Sequence, residues 1–186
     1  SKTFPIDKIK PLINHGHKHF GENKVQEAVQ KWTEIKNHNN NIKLHLIGKL
    51  QTNKVKFVLP LFDYIHSLDS IKLAEKIYIE QEKKKIKPKI FIQVNIGNEN
   101  QKNGISIDDL KIFYEECKKK YNLDIIGLMC IPPIGNSKEF FSKMLELNNL
   151  LNLNELSMGM SLDYLDAINY KATFVRIGSL IFGNRD

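Results

Sequence analysis

Short β-type runs alternate with longer helical patterns along the whole sequence, and this alternation constrains the fold more than any other feature. The longer segments carry apolar residues at spacings of three and four, which is typical of helices that bury one face. Regular alternation of this kind indicates repeated βα units around a parallel sheet. The predicted strands lie near His17–Gly21, Lys43–Gly48, Asp63–Ser67, Lys89–Ile96, Asp124–Ile131, Glu155–Met160 and Thr173–Ile177.

Serines open three of the predicted helices. Ser70, Ser106 and Ser137 each precede a helical pattern and are suitable N-caps. Asp109 stands three residues after Ser106 and approximates a capping box. Another helix is expected to follow Pro5. The helices between the strands are predicted over Glu22–Ile35, Ser70–Lys85, Ser106–Lys120, Ser137–Leu151 and Leu162–Asn169.

The number of βα units predicts a closed barrel. Ser1 to Thr3 resembles the last residues of an eighth strand, whose upstream half and preceding helix are not in this sequence. Eight units in 186 residues leave about 23 residues for each, close to the minimum for a strand, a helix and two loops. We therefore expect an α/β protein, a single (β/α)8 barrel domain over residues 1–186. A doubly wound open sheet is the alternative, disfavoured because no Gly-rich fingerprint follows a first strand.

The composition is that of an ordinary globular protein, with 41% hydrophobic and 26% charged residues. The longest apolar stretches, such as residues 125–131, are far shorter than the roughly 20 residues of a membrane helix. No charged-then-apolar leader opens the chain. Cys117 and Cys130 fit neither a disulfide framework nor a CxxC metal site. We expect a soluble, cytoplasmic protein without a metal site or a membrane partner.

The formal net charge of +7 does not by itself indicate a nucleic-acid partner. Much of the excess lies in Lys83–Lys89 and Lys118–Lys120, at the ends of helical patterns, where cations are favourable and solvated. Aromatic residues do not interleave with these lysines as in a groove that binds single strands. We therefore expect no nucleic-acid binding.

Arginine is used only twice, at Arg176 and Arg185, among 28 basic residues. A guanidinium offers a permanent charge and a planar set of donors that an ammonium cannot reproduce. The two arginines indicate either a site that needs a guanidinium or a chance occurrence such as a surface ion pair. Composition alone leaves both open.

The last two predicted strands end in loops suited to an anion. Gly159 and Gly178 permit close approach of the backbone, and Ser161 and Ser179 supply hydroxyls. Phosphate is most often held at these two loops of a βα barrel. Each serine taken alone is better explained as a turn or cap residue, but their occurrence at both expected places favours phosphate.

Lys2 stands at the end of the first predicted strand, facing the same mouth of the barrel. A partly desolvated lysine near another cation loses its proton readily and forms an imine with an aldehyde. Together with a phosphate cradle and Arg176, this lysine suggests pyridoxal 5'-phosphate (PLP). A sugar-phosphate enzyme with a lysine imine, and a lysine without a role, remain alternatives at this point.

Six ordered motifs spread over nearly the whole chain are FGENKVQEA (20–28), HLIGKLQTNK (45–54), IHSLDS (65–70), IGLMCIPP (126–133), LSMGMSLD (156–163) and VRIGSLIFG (175–183). Together they resemble the YggS/PROSC family of pyridoxal phosphate homeostasis proteins. The resemblance implies a barrel like the N-terminal domain of alanine racemase, and a role in intracellular vitamin B6 homeostasis. It implies that Lys2 forms the internal aldimine, that Arg176 faces the pyridine nitrogen, that Ser161, Gly178 and Ser179 bind the phosphate, and that Asn23 and Met158 lie on pocket-lining motifs. The family normally has a helix and a complete strand before the lysine.

The arginine limits the chemistry. A guanidinium donates to the pyridine nitrogen without protonating it, so the ring is a weak electron sink. Racemisation would also need a second base, which a second domain and a partner subunit complete in alanine racemase. We therefore expect a non-catalytic monomer that holds PLP and releases it to apoenzymes. A PLP-dependent amino-acid racemase is the alternative.

Several histidines invite other interpretations. His15, His17 and His19 alternate along a predicted strand, but no carboxylate or cysteine at ligand spacing supports a metal site. His66, near the mouth, is expected to be a hydrogen-bonded pocket wall rather than an acid or base. Lys49 adds either positive potential or a solvated surface charge.

Overall fold

Seven parallel strands form the centre of the computed structural model, which describes residues 1–99, 102–133 and 135–183. Each strand pairs in parallel with the next strand along the chain. The seven predicted strands are confirmed, with ends that shift by up to three residues. They are β1 (His19–Glu22), β2 (Lys43–Leu46), β3 (Tyr64–Leu68), β4 (Lys89–Gln93), β5 (Asp124–Met129), β6 (Glu155–Met160) and β7 (Phe174–Arg176).

Helices separate the strands, as the apolar periodicity predicts. The helix after Pro5 and the five helices between strands are confirmed, whereas α3, the 3-10 turn before it (Thr52–Lys54) and α8 were not foreseen. The helices are α1 (Ile6–Asn14), α2 (Val25–His38), α3 (Val55–Val58), α4 (Ile71–Lys84), α5 (Leu110–Lys119), α6 (Ser137–Leu150), α7 (Tyr164–Asn169) and α8 (Ser179–Phe182).

The three predicted serine caps differ in outcome. Ser70 caps α4, its hydroxyl oxygen accepting a backbone N–H of the first turn at 3.4 Å. The Ser106 hydroxyl oxygen accepts the Asp109 N–H at 3.1 Å, but this bond closes a turn that precedes α5. The Ser137 cap is wrong, because Ser137 is already the first residue of α6 and Asn136 occupies the cap position.

Ser1 to Thr3 form a turn, so the expected strand end is wrong. Thr3 has a positive φ of 68°, which an extended backbone does not adopt. The segment nevertheless lies beside the outer edge of β1, where the main-chain nitrogen of Ser1 donates to the Gly21 carbonyl at 3.2 Å. Lys2 therefore lies beside the carboxyl end of β1, in a turn and not at the end of a strand of its own.

The sheet curls into a nearly closed barrel. The strand order follows the sequence from β1 to β7 without the reversal of a doubly wound sheet, so that alternative is excluded. β1 and β7 are at opposite ends of this order, yet the rings of His19 and Phe174 lie 6.2 Å apart. This curvature brings Ser1 and Phe182, near the two ends of the described chain, to one cavity.

The core has two layers of different character. Outside the strands, residues such as Leu44 and Leu46 join Trp32 of α2 in one hydrophobic cluster. His45, between the two leucines, points to the other side of the strand, into the barrel. The interior is thus lined by polar and aromatic side chains. In the described part of the chain, no helix combines the length and the apolar character needed to cross a bilayer.

Candidate functional site

A cavity of about 430 Å³ runs along the inside of the barrel beside β1 and β7. Its size falls in the range of small-molecule sites. Lys2, Asn23, Arg176 and Gly178 are among its lining residues. The structure therefore brings the lysine and the arginine singled out in the sequence to one enclosed space.

The backbone that carries Lys2 is fixed by buried polar contacts. The Ser1 hydroxyl donates to Oε1 of Glu22 at 2.8 Å. Nζ of Lys31 donates to the carbonyls of Ser1 at 3.1 Å and Phe4 at 3.0 Å. Carbonyls on both sides of Lys2 are thus held by one cation, which limits where the Lys2 amine can reach.

Glu22 joins these contacts into one cluster, which we call the Glu22 cluster (Ser1, Glu22, Lys31 and Trp32). Oε1 of Glu22 also accepts Nζ of Lys31 at 3.0 Å and Nε1 of Trp32 at 2.9 Å. The Glu22 side chain is 0% exposed and that of Lys31 is 9% exposed. Sequence reasoning did not identify this cluster, although a carboxylate at the outward, normally apolar position of β1 is a signal that points to it.

Arg176 is held by three hydrogen bonds to neutral oxygens. Nη1 donates to the Ser157 carbonyl at 2.9 Å and to the Ser157 hydroxyl oxygen at 2.8 Å, and Nη2 donates to the Cys130 carbonyl at 2.8 Å. Burial lowers the pKa of Arg176. Because an arginine pKa normally lies above 12, the guanidinium remains a cation. Arg185 lies outside the described residues.

A row of histidines crosses the barrel interior and ends at Ser157. Nδ1 of His19 lies 2.9 Å from Nε2 of His45, and Nδ1 of His45 lies 2.9 Å from Nε2 of His66. Nδ1 of His66 lies 2.8 Å from the Ser157 hydroxyl oxygen. Burial lowers the pKa of His45 to about 3 and lowers that of His66 well below its usual value. Both rings are therefore neutral at pH 7, and His66 is the hydrogen-bonded wall residue that the sequence predicted.

The expected phosphate loops adjoin beside the cavity. Gly178 is one of its described lining residues, whereas Ser161 and Ser179 are not among them. The Gly178 N–H donates to the Ser161 hydroxyl oxygen at 3.4 Å, so the two loops adjoin. Ser179 follows as the first residue of α8. Gly159 has a φ of 89°, and a side chain there would meet Ala167 of α7, so this glycine serves packing against the helix.

Two further residues differ in their relation to the cavity. Met158 is fully buried in the hydrophobic core, on the face of β6 opposite to Ser157, and the structure does not bring it to the cavity. Lys49 does line the cavity, and its Nζ donates to Oδ1 of Asn103 at 2.7 Å. Among the residues described, no group of three or more His, Cys, Asp or Glu is arranged to hold a metal ion.

Comparison with known proteins identifies the family. The protein-family model for the alanine racemase N-terminal domain matches residues 6–186 of the sequence. A pyridoxal phosphate homeostasis protein from Aquifex aeolicus is 40% identical over 195 residues, covering 100% of this chain and 85% of the relative. The chain belongs to the pyridoxal phosphate homeostasis protein family. The Haemophilus influenzae member is 36% identical over 197 residues, covering 100% of this chain and 83% of the relative.

Solved structures agree with this family assignment. PipY of Synechococcus elongatus PCC7942 is 34% identical with a TM-score of 0.90, covering 98% of this chain and 90% of PipY. PipY has been solved both without PLP and with PLP bound. An alanine racemase of Clostridium difficile 630 shares the fold alone, at 13% identity and a TM-score of 0.73, over 96% of this chain and 48% of the racemase. The resemblance to homeostasis proteins and the barrel fold are confirmed.

Proposed function

We propose that this chain binds PLP covalently through the Lys2 amine and serves intracellular PLP homeostasis by delivering the cofactor to apoenzymes. The observation that carries this proposal is the single cavity lined by Lys2, Arg176 and Gly178. Its donors suit PLP, which has an aldehyde, a ring nitrogen that accepts a hydrogen bond, and a phosphate. PLP bound in PipY supports the same reading.

Each residue of the proposed site has a distinct task. The Lys2 amine would condense with the aldehyde and release water, Arg176 would donate to the ring nitrogen, and the Gly178 loop with Ser161 and Ser179 would hold the phosphate. Asn23 contributes a polar wall to the cavity. Met158 acts only through packing, because it lies in the core behind β6. When bound, PLP supplies an electrophilic carbon and an electron-accepting ring.

We further propose that the protein is not a catalyst. The Arg176 guanidinium donates to the ring nitrogen without protonating it. Among the described residues that line the cavity, neither a tyrosine nor a carboxylate offers a second base. The lining histidines His45 and His66 are weak bases, because burial lowers the pKa of each. These features favour reversible storage of PLP over catalysis on amino acids.

The setting of this carrier is also a proposal. Cys117 and Cys130 are both free and buried thiols, which suits the reducing cytoplasm. The proposed carrier is a monomer that exchanges PLP with apoenzymes through the mouth of the barrel. One chain is sufficient, because Lys2 and Arg176 line the same cavity.

Replacement of Lys2 by alanine is expected to abolish covalent PLP binding. Wild-type protein mixed with PLP should develop the visible absorbance band of lysine-bound PLP, and borohydride should fix the cofactor to the peptide that contains Lys2. Lys49→Ala is the matched control, because Lys49 lines the same cavity. That variant should keep the band. Absence of the band in the wild type, or its survival in Lys2→Ala, would contradict the proposal.

Turnover is tested separately by α-proton exchange. PLP-loaded protein incubated with a panel of amino acids in heavy water should show no exchange above that of free PLP. Exchange that depends on Lys2 would instead support the racemase alternative. Borohydride trapping of a sugar phosphate without PLP would support the sugar-phosphate enzyme.

A further inference from the structure

A continuous hydrogen-bonded chain links five strands of the barrel and ends at the arginine of the proposed site. We call His19, His45 and His66 the imidazole chain; they lie on β1, β2 and β3. Ser157 on β6 connects this chain to Arg176 on β7. Neighbouring atoms along the whole path lie 2.8 to 2.9 Å apart, which is ordinary hydrogen-bond length.

The cation at one end determines the direction of every bond. A guanidinium only donates, so the Ser157 hydroxyl oxygen must accept from Arg176. If His66 also donated to this oxygen, the hydroxyl proton would have no acceptor among the hydrogen bonds of the described residues. The hydroxyl therefore donates to Nδ1 of His66. Nε2–H of His66 then donates a hydrogen bond to Nδ1 of His45, and Nε2–H of His45 donates to Nδ1 of His19.

This direction matters for the charge on Arg176. All hydrogen bonds given above for its guanidinium go to neutral oxygens of Ser157 and Cys130. A neutral imidazole has a dipole that points from its bare nitrogen to its N–H. With Nε2 protonated in both His45 and His66, each ring turns its bare nitrogen toward Arg176. The aligned dipoles stabilise the cation. They act together with the Asp163 carboxylate, which raises the pKa of Arg176 from a distance without a hydrogen bond among those given above.

We propose that His45, His66 and Ser157 are positioning residues that lock the Arg176 guanidinium toward the cavity, and that the cation in turn fixes both histidines as the Nε2–H tautomer. This inference rests on the proposed function, since it gives Arg176 its orientation toward the PLP ring. The three residues do not touch the reacting atoms. They determine how firmly Arg176, which is proposed to contact the PLP ring, is held.

The first test reads the tautomers directly, without PLP. Side-chain 15N NMR of the wild-type protein at pH 7 should show His45 and His66 as neutral Nε2–H tautomers. In Arg176→Leu the serine hydroxyl is free to accept instead, so His66 should become a mixture of tautomers. Nδ1–H on His66 in the wild type, or an unchanged His66 in Arg176→Leu, would overturn the inference.

The second test measures the effect on the site. Ser157→Ala removes a hydrogen bond to a charged group and should weaken PLP affinity about 10-fold, while Lys2 still forms the covalent band. Phe91→Leu is the control, because Phe91 stacks on His66 with ring centroids 4.3 Å apart and gives no hydrogen bond to the chain. It should keep the wild-type tautomers and affinity. Equal losses in both variants would overturn the inference.

The two proposals fail in different ways. A wild-type protein that binds no PLP contradicts the proposed function, whatever the NMR shows. A protein that binds PLP normally in Ser157→Ala, or whose His66 tautomer does not respond to Arg176→Leu, contradicts the positioning role alone.

Discussion

Glu22→Gln is expected to lower the free energy of unfolding by about 3 kcal/mol, since removal of one partner from a buried ion pair leaves the other charge uncompensated. Glutamine keeps the shape of glutamate and an oxygen that accepts from Trp32. The decrease in unfolding free energy therefore reports the contribution of the charge. Lys31 would then face a neutral amide oxygen in place of the carboxylate, beside the carbonyls of Ser1 and Phe4 and the more distant Glu27. Urea unfolding monitored by circular dichroism measures the change.

Glu27→Gln provides the matched control for the Glu22 cluster. Glu27 lies 3.6 Å from the same Lys31 ammonium, but its side chain is 33% exposed. Exposed pairs contribute about 0.2–1 kcal/mol, so this variant should lose less than 1 kcal/mol. Similar losses in the two variants would show that Lys31 does not depend on the buried carboxylate.

The Glu22 cluster also connects stability to the proposed chemistry. Its contacts hold the carbonyls on either side of Lys2, so Glu22→Gln should weaken PLP binding as well as the fold. The control Glu27→Gln loses one bond from its carboxylate to the Thr3 N–H, at 3.0 Å. Its effect on PLP binding should be correspondingly small. A lysine used as a nucleophile needs this kind of support from a rigid backbone.

The sequence predicted the barrel well because its signals are local. Strand and helix periods are properties of neighbouring residues, and all seven strands predicted between His17 and Ile177 are present. The cap at Ser70 was predictable for the same reason. The Ser137 cap is wrong because Ser137 already belongs to the first helical turn and the preceding Asn136 occupies the cap position. The strand end predicted at Ser1 to Thr3 is wrong because a strand-like tripeptide carries no signal for the positive φ of Thr3.

The same contrast between local and long-range signals explains which site residues the sequence could predict. Lys2, Arg176 and Gly178 were found from residue type and motif, and they line one cavity. The imidazole chain was not found, because His45 and His66 meet only through strand register and barrel closure. No spacing in the sequence shows that His66 reaches Ser157, which is 91 residues away along the chain. Alternation along β6 places Met158 and Ser157 on opposite faces of the strand. The sequence alone does not show which of the two faces the barrel interior.

Acidification is expected to remove a large part of the stability well above the pH at which carboxylates titrate. Burial lowers the pKa of His45 to about 3 and that of His66 well below its usual value, so both stay neutral in the folded protein. In the unfolded chain they titrate near 6.5. Below that pH the unfolded state binds more protons than the folded state, so stability is complete above about pH 6.5 and falls as the pH decreases toward the folded pKa values.

The size of this effect follows from the proton count. Each shifted proton contributes about 1.4 kcal/mol per pH unit, so two histidines should remove roughly 5 kcal/mol by about pH 4.5. Neighbouring charges modify the shifts without reversing them: His19, Asp63 and Lys36 act on His45, and His45 and Arg176 act on His66. The free energy of unfolding measured between pH 7 and 4.5 gives the slope.

A single substitution separates these histidines from other acid-sensitive groups. His66→Gln removes one of the shifted protons and should reduce the slope, even if the variant is less stable at pH 7. His45 and His19, whose pKa values burial also lowers, continue to contribute. The exposed His38 offers the comparison, and His38→Gln should retain the wild-type slope. A slope that is the same in all three proteins would mean that the buried imidazoles take up protons in the folded state. The aligned, neutral chain that holds Arg176 would then not exist below pH 6.5.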